Sequence, residues 1–377
     1  MFKLSRNVLM LGVVSFFTDV SSEMILILLP LFYLTLGAGG AAIGLIEGIA
    51  ESIASLMKVY SGWYSDKIGK RKIFISSGYS LSAVTKIFFA IATTWPQVLV
   101  IRFTERLGKG LRTSPRDALI ADSTDSKIYG RAFGFHRAMD TSGAILGVIL
   151  ALLLVAYFSY RQIFLLAVIP AAISVVIVLF FVEERRGEPR RIEFKPGSQL
   201  STKYKLFLLV ITIFALANFS YAFLVLRANN LGASDRLVIT LYLLYNIVYA
   251  IAAVPAGELS DKISRKGVII LGYLIFSAMC LGFALASRLA YVALFFALYG
   301  IYQAVIEGVQ RAYVADLIGK DVRGTAYGIF HTIIGVAALP ASLVAGLLWE
   351  YISPSATFLY GSGMALLAAL LLLVLIR

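Results

Sequence analysis

Apolar runs of membrane-spanning length alternate with short polar segments along nearly the whole chain. About 20 apolar helical residues cross a hydrocarbon core. Runs of that kind lie at 8–35, 41–60, 72–93, 97–117, 131–157, 161–182, 204–228, 236–256, 267–287, 289–315, 325–350 and 355–376. Barrel strands would alternate apolar and polar residues at every second position, and these runs do not. The pattern predicts an all-α polytopic membrane protein with about twelve transmembrane helices.

Composition supports this reading and changes it little. Of 377 residues, 60% are hydrophobic and only 15% charged, and the mean hydropathy is +0.87. A soluble domain cannot hide that much apolar surface, so the lipid bilayer is part of the solvent. The formal charge of +13 first suggests nucleic acid, but the bases fall mainly in alternate loops. Lys67, Lys70, Arg71 and Lys72 follow the second run, and Arg116, Lys127 and Arg131 surround the link after the fourth. Arg185, Arg186, Arg190, Arg191, Lys195, Lys203 and Lys205 fill the middle of the chain. Lys262, Arg265 and Lys266 follow the eighth run, and Lys320 and Arg323 the tenth. The opposite loops carry little beyond Arg161, Arg236 and Arg288. This asymmetry places both termini and the central loop in the cytoplasm and leaves no charge excess to assign to nucleic acid. Cys280 is the only cysteine, so an intrachain disulfide is impossible. The first run carries Asp19 and Glu23 and is too long for a cleaved signal, so it reads as a retained helix.

The polar loops repeat. Gly62-Trp-Tyr-Ser-Asp66-Lys-Ile-Gly-Lys-Arg71 returns about 195 positions later as Gly257-Glu-Leu-Ser-Asp261-Lys-Ile-Ser-Arg-Lys266. At the same offset Leu36-Gly37-Ala38 falls on Leu231-Gly232-Ala233, and at an offset of 194 Asp122 falls on Asp316 and Gly130 on Gly324. Polar matches at offsets of 194 and 195 point to a duplicated unit. The expected division is a six-helix bundle over 1–182, a cytoplasmic central loop over 183–203 and a second six-helix bundle over 204–377.

The Gly-x-x-x-Asp-Lys-x-Gly-Lys-Arg loop between the second and third helices resembles the signature loop of the major facilitator superfamily. The weaker copy between helices eight and nine and the six-plus-six layout extend that likeness over essentially the whole chain. The resemblance implies two bundles working by alternating access around a central substrate site. It also implies that Asp66, with Gly62, Arg71 and Asp261, belongs to loops that gate the conformational change. An acid near a helix start accepts backbone N–H bonds in any case. Likeness to drug/proton antiporters of the superfamily is partial. Arg102 is followed by Glu105 and Arg106 rather than by a Gln-Gly pair, and Val148 stands where their helix-five motif has proline. Thr18-Asp19-Val-Ser-Ser-Glu23-Met24 with Gly108-Lys109-Gly110 resembles prokaryotic members of the superfamily, which implies a cytoplasmic membrane location.

A charge at mid-membrane is unfavourable by about 2.5–3.5 kcal/mol, so each one calls for water or a partner. Asp19 and Glu23 on helix one, and Glu47 and Glu51 on helix two, are spaced i, i+4 and share a helix face. On helix four Arg102, Glu105, Arg106 and Lys109 form one polar stripe, which Arg112 and Arg116 extend; helix five adds His136, Arg137 and Asp140. In the second half the counterparts are milder. Glu23 falls on Asn218, Glu47 on Tyr242 and Glu51 on Asn246, with Tyr221 and Glu307 also available.

An uneven cavity of this kind fits a proton-coupled carrier, because a carboxylate shielded from water holds its proton until a cation or basic side chain approaches. Asp19, Glu23, Glu47 and Glu51 are the proton-coupling candidates. Arg102, Glu105, Arg106, Lys109, Arg137, Asp140, Asn218, Tyr221, Tyr242, Asn246 and Glu307 are the substrate-cavity candidates. The expected function is export of a small organic solute by a monomer without cofactors, using the proton gradient. The alternative is a divalent-metal exporter of the iron type, with Asp19 and Glu23 as oxygen ligands and Met24 or His136 in support. An enzyme is not expected. Glu105, His136 and Asp140 lack any accompanying nucleophile elbow, phosphate-binding loop or metal spacing.

Overall fold

The computed structural model describes residues 4–125, 128–185, 200–318 and 323–376, without the side chains of Asp261, Arg323, Gly324 and Thr325. Lys127, Arg186, Arg190, Arg191, Lys195 and Lys320 lie outside the described residues, with most of the central loop.

Among the described residues the chain is entirely helical, and its helices make twelve crossings. The first crossing is α1 (Arg6–Leu26) with α2 (Leu29–Thr35), followed by α3 (Gly40–Ile68), α4 (Lys72–Ile91), α5 (Trp95–Asp122) and α6 (Tyr129–Leu154). The sixth is α7 (Tyr160–Leu166) with α8 (Val168–Phe181), and the seventh is α9 (Thr202–Ala217) with α10 (Ala222–Asn230). The last five are α11 (Asp235–Lys262), α12 (Arg265–Leu285), α13 (Val292–Leu317), α14 (Arg323–Tyr351) and α15 (Pro354–Leu375). Eleven of these spans are long and apolar enough on their own to cross a bilayer. The remaining one, α5, carries Arg102, Glu105, Arg106, Lys109 and Arg112 within it.

By contact the chain forms two compact units. Unit 1 is Met1–Gly37 with Ile53–Glu193, and unit 2 is Ala38–Ser52 with Phe194–Arg377. The packing inside them repeats. In unit 1, α1 packs on α6 and α8, and α4 on α5 and α8; in unit 2, α9 packs on α14 and α15, and α12 on α13 and α15. The duplicated sequence thus produces duplicated helix pairing. Gly37 and Gly232, matched in the sequence, both adopt a left-handed conformation (φ 74° and 91°). Each closes a helix with its N–H bonded to a carbonyl three residues back, a geometry that side chains with a Cβ resist.

Apolar side chains fill each unit. Val8, Leu11, Ile75, Leu119, Ala132 and Val178 meet in the core of unit 1. Unit 2 is aromatic: Phe214 stacks on Tyr273 at 3.9 Å, and Phe276 and Tyr302 close around them. Outward residues such as Val100, Phe180, Ile251 and Leu370 stay exposed, as lipid-facing positions require.

Two breaks depart from the uniform apolar pattern. α1 stops at Leu26 because Pro30 has no N–H to return to that carbonyl. The seventh crossing breaks at 218–220 without a proline. There Ser342 Oγ accepts from Ser220 N (3.2 Å), and Ser220 Oγ accepts from Ala222 N (3.2 Å). Hydroxyls therefore take over hydrogen bonds that the helix gives up.

Candidate functional site

The charged stripe of α5 faces into unit 1 and meets α1 and α4. Close packing makes this possible. A Cβ on Gly108 would lie 2.8 Å from the Gly78 carbonyl oxygen, and one on Gly110 would lie 2.7 Å from that of Ala54. With these glycines α5 lies flush against α4 and α3, and its long basic side chains fold inward instead of reaching for water.

A polar cavity of about 40 Å³ results, room for roughly three waters. Asp19, Ser22 and Glu23 of α1 line one side, and Arg102, Glu105, Arg106, Lys109 and Arg112 of α5 line the other. Lys86 and Phe89 of α4 complete the wall with Ile25 and Leu26. Among the described residues this wall holds five basic and three acidic side chains, so its formal balance is positive.

Five of these charges, those of Lys86, Arg102, Glu105, Arg106 and Arg112, are buried, and Asp19, Glu23 and Lys109 are partly buried. Arg102 is 2% exposed, Arg106 4% and Lys86 3%. Arg102 donates to Glu105 (Nη1 to Oε2, 2.9 Å), and the same oxygen lies 3.6 Å from Arg106 Nε. Arg112 donates to Ser82 Oγ (2.7 Å) and lies over the Tyr79 ring at 4.5 Å. Lys86 Nζ donates to Ser21 Oγ (2.5 Å) and Ser22 Oγ (3.3 Å).

Lys86 is the member that the sequence reading missed. Its signal was available, since beyond Lys72 at its start it is the one charge in the run 72–93 and a charge at that depth needs a partner. Ser82 stands one helical turn earlier on the same face, where it receives Arg112.

The other candidates are distributed more widely. Asp140 accepts from Ser15 Oγ and lies 4.0 Å from Arg137, whose side chain is largely exposed. His136 is buried, and its Nε2 has no hydrogen-bond partner among the described residues. Neither His136, Arg137 nor Asp140 lines the cavity. Glu47 and Glu51 belong to the stretch of α3 grouped with unit 2. Glu47 is buried at 1% exposure and accepts from Ser220 Oγ (3.3 Å) at the break before α10, whereas Glu51 is exposed.

Within unit 2 Asn218 caps the end of α9, and Asn246 Nδ2 donates to the Tyr242 carbonyl (2.9 Å). Tyr249 Oη donates to Glu307 (2.5 Å), and Arg311 pairs with the other Glu307 oxygen (2.9 Å). Rings of Tyr221, Tyr242, Tyr245 and Tyr299 follow one another at centroid spacings of 5.6, 5.3 and 4.9 Å.

The signature loop forms a chain of ion pairs in unit 1. Arg71 bonds Asp66 and Ser65 Oγ, and its Nε lies 3.5 Å from Asp122. Glu184 accepts from both Arg71 N and Lys72 N (2.9 Å each), covering the start of α4. Unit 2 repeats the second pair as Arg265–Asp316 at 2.5 Å. The Asp261 side chain lies outside the described residues. Gly62 faces Ser114, whose Cβ would be 3.2 Å from an added Cβ.

Comparison with known proteins gives a consistent answer. The family model of the Major Facilitator Superfamily matches residues 11–226 and 206–377. An uncharacterized MFS-type transporter of Methanocaldococcus jannaschii is 44% identical, the match covering 98% of this chain and 95% of that protein. The cis,cis-muconate transport protein of Acinetobacter baylyi is 24% identical over 76% of this chain and 73% of its own length. Among solved structures, the nucleoside transporter NupG superposes with a TM-score of 0.83 at 16% identity, covering 98% of this chain and all of that one; it supports the fold alone. With twelve crossings, a doubled signature loop and this match over both halves, the chain belongs to the Major Facilitator Superfamily, a multi-pass membrane protein and secondary transporter rather than an enzyme.

Proposed function

We propose that the protein exports a small organic solute across a prokaryotic cytoplasmic membrane in exchange for protons, by alternating access. The observation that carries this reading is that Asp19 and Glu23 share a polar cavity with Lys86, Lys109 and the arginines of α5. Carboxyl groups in such a site exchange protons as nearby cations approach or withdraw. The muconate transport protein, a distant relative, supports a small organic solute. Glu47 and Glu51 are the second pair of proton carriers, and Asn218, Tyr221, Tyr242, Asn246 and Glu307 supply neutral and aromatic contacts to the solute. The working division is two bundles, 1–182 and 204–377, with the linker 183–203 and both termini in the cytoplasm, acting as a monomer.

The test is a solute screen in proteoliposomes under an imposed pH gradient. Glu23→Gln and Glu51→Gln are each expected to abolish gradient-driven flux while leaving solute binding measurable. Unaltered coupling in both variants would rule out this assignment of proton carriers. The metal-export alternative is disfavoured by electrostatics. Asp19 and Glu23 look into a wall with more cations than anions, which repels a divalent ion.

Asp66 acts on the conformational equilibrium in this reading, since Arg71 ties it to Asp122 rather than to the cavity. Losing such a link changes a two-state balance by about 1–3 kcal/mol. Asp66→Asn is therefore expected to shift the labelling of single cysteines introduced along α3 and α5, on a Cys280→Ser background. Unchanged labelling with unchanged flux counts against a gating role.

A further inference from the structure

The cations of the unit 1 cavity are not equivalent. Arg102 and Arg106 share the Glu105 carboxylate, but the hydrogen bonds of Lys86 and Arg112 go to neutral hydroxyls: Ser21 and Ser22 for the first, Ser82 for the second. Among the described residues neither of these two donates a hydrogen bond to a carboxylate. Hydroxyls compensate a buried cation less fully than a direct ion pair does, and α4 and α5 each retain one such cation. Beside them lies space for about three waters, roughly the size of one carboxylate group. Ile25, Leu26 and Phe89 provide an apolar flank.

From this arrangement we propose that the cavity is a binding site for a small organic carboxylate, with Lys86 and Arg112 as the receiving cations and Glu105 as a built-in carboxylate that holds Arg102 and Arg106 until the ligand competes for them. The ligand's carboxylate sits among the four cations, and its apolar body lies against Ile25, Leu26 and Phe89. Glu105 thus works as a placeholder. It keeps two buried guanidinium groups compensated while the site is empty, and it sets a threshold that neutral solutes cannot cross. Planar guanidinium groups suit a planar carboxylate, and the positive balance of the wall rejects cations. This inference rests on the transport reading above for its physiological meaning but not for its test.

The test is equilibrium binding to the purified full-length protein in detergent micelles, by calorimetry, with benzoate, succinate and pyruvate each compared with its amide, and with inorganic phosphate. At least one carboxylate is expected to bind while its amide does not. Lys86→Gln is expected to weaken that binding by roughly tenfold or more. Glu105→Gln is expected to strengthen it by about tenfold, because the internal competitor loses its charge. Arg236→Gln, an exposed position outside the cavity lining, is expected to leave it unchanged. Should Glu105→Gln not yield folded protein, Glu105→Asp, which withdraws the carboxylate by one methylene, is expected to shift affinity in the same direction. Equal binding of acids and amides, tighter binding lost rather than gained at position 105, an indifferent Lys86→Gln, or binding of phosphate alone would each overturn the proposal. A protein that binds the acid in micelles but moves nothing down a pH gradient keeps this site and loses the coupling reading. Gradient-driven flux of a neutral solute with no acid binding does the reverse.

Discussion

Replacing Glu105 with Leu is expected to destabilise the protein by about 3–5 kcal/mol, the usual range for removing one partner of a buried ion pair, and to abolish transport. Arg102 and Arg106 would then be left with side chains 3% and 5% exposed and without the carboxylate they share. Both line the small polar cavity, whose few waters replace a shared carboxylate poorly, and α5 is held close to α4 by the Gly78–Gly108 contact. Thermal unfolding in detergent reads the loss. The double variant Arg102→Met with Glu105→Leu is expected to recover part of it, because an apolar pair of similar volume replaces a buried charge pair with little penalty. If the single variant unfolds within a degree or two of the wild type, Arg102 and Arg106 are solvated and Glu105 does not hold them.

Gly143→Leu has the second large effect, and its cause is steric. A Cβ at Gly143 would run into the backbone carbonyl of Phe16, and one at Gly147 would lie 2.5 Å from the Val20 oxygen and 2.9 Å from Glu23 Cβ. Backbone cannot move aside as a flexible side chain can, so α1 and α6 must separate. Overpacking of this kind costs about 1–3 kcal/mol. It also displaces the helix that carries Asp19 and Glu23, so flux is expected to fall further than stability. Gly134 is the control. It lies on the same helix, yet an added Cβ there meets nothing within 4 Å. Gly134→Ala is expected to be neutral or slightly stabilising, by up to about 1 kcal/mol from helix propensity. Equal sensitivity at both positions would mean that the α1–α6 approach is looser than it looks.

These two expectations mark where sequence reasoning reached and where it stopped. The polar stripe of α5 was legible because Arg102, Glu105, Arg106 and Lys109 recur every three or four residues, and helical periodicity alone puts them on one face. The i, i+4 acids of α1 were legible for the same reason. Lys86 was not grouped with them, since nothing local links a lone lysine in one apolar run to a serine pair in another. The break at 218–220 was also hidden. No proline or glycine marks it, and its hydrogen bonds are completed by Ser342, more than a hundred residues away. The Arg265–Asp316 pair shows the reverse case. Both residues were visible, and the offset of 194 that sets Asp122 on Asp316 becomes meaningful once Arg265 is seen on Asp316 as Arg71 is on Asp122.

By itself the sequence determined the solvent, the crossings and the duplication. Apolar run length, helical period and loop charge are properties of neighbouring residues, and a bilayer leaves a backbone in such runs little choice but helix. Tertiary structure alone decided which charges share a cavity, which glycines carry helix contact and that Glu47 rather than Glu51 lies buried. Those outcomes depend on how helices distant in sequence rotate against one another, and a few small residues fix that rotation: Gly78, Gly108, Gly143 and Gly147, where backbone meets backbone.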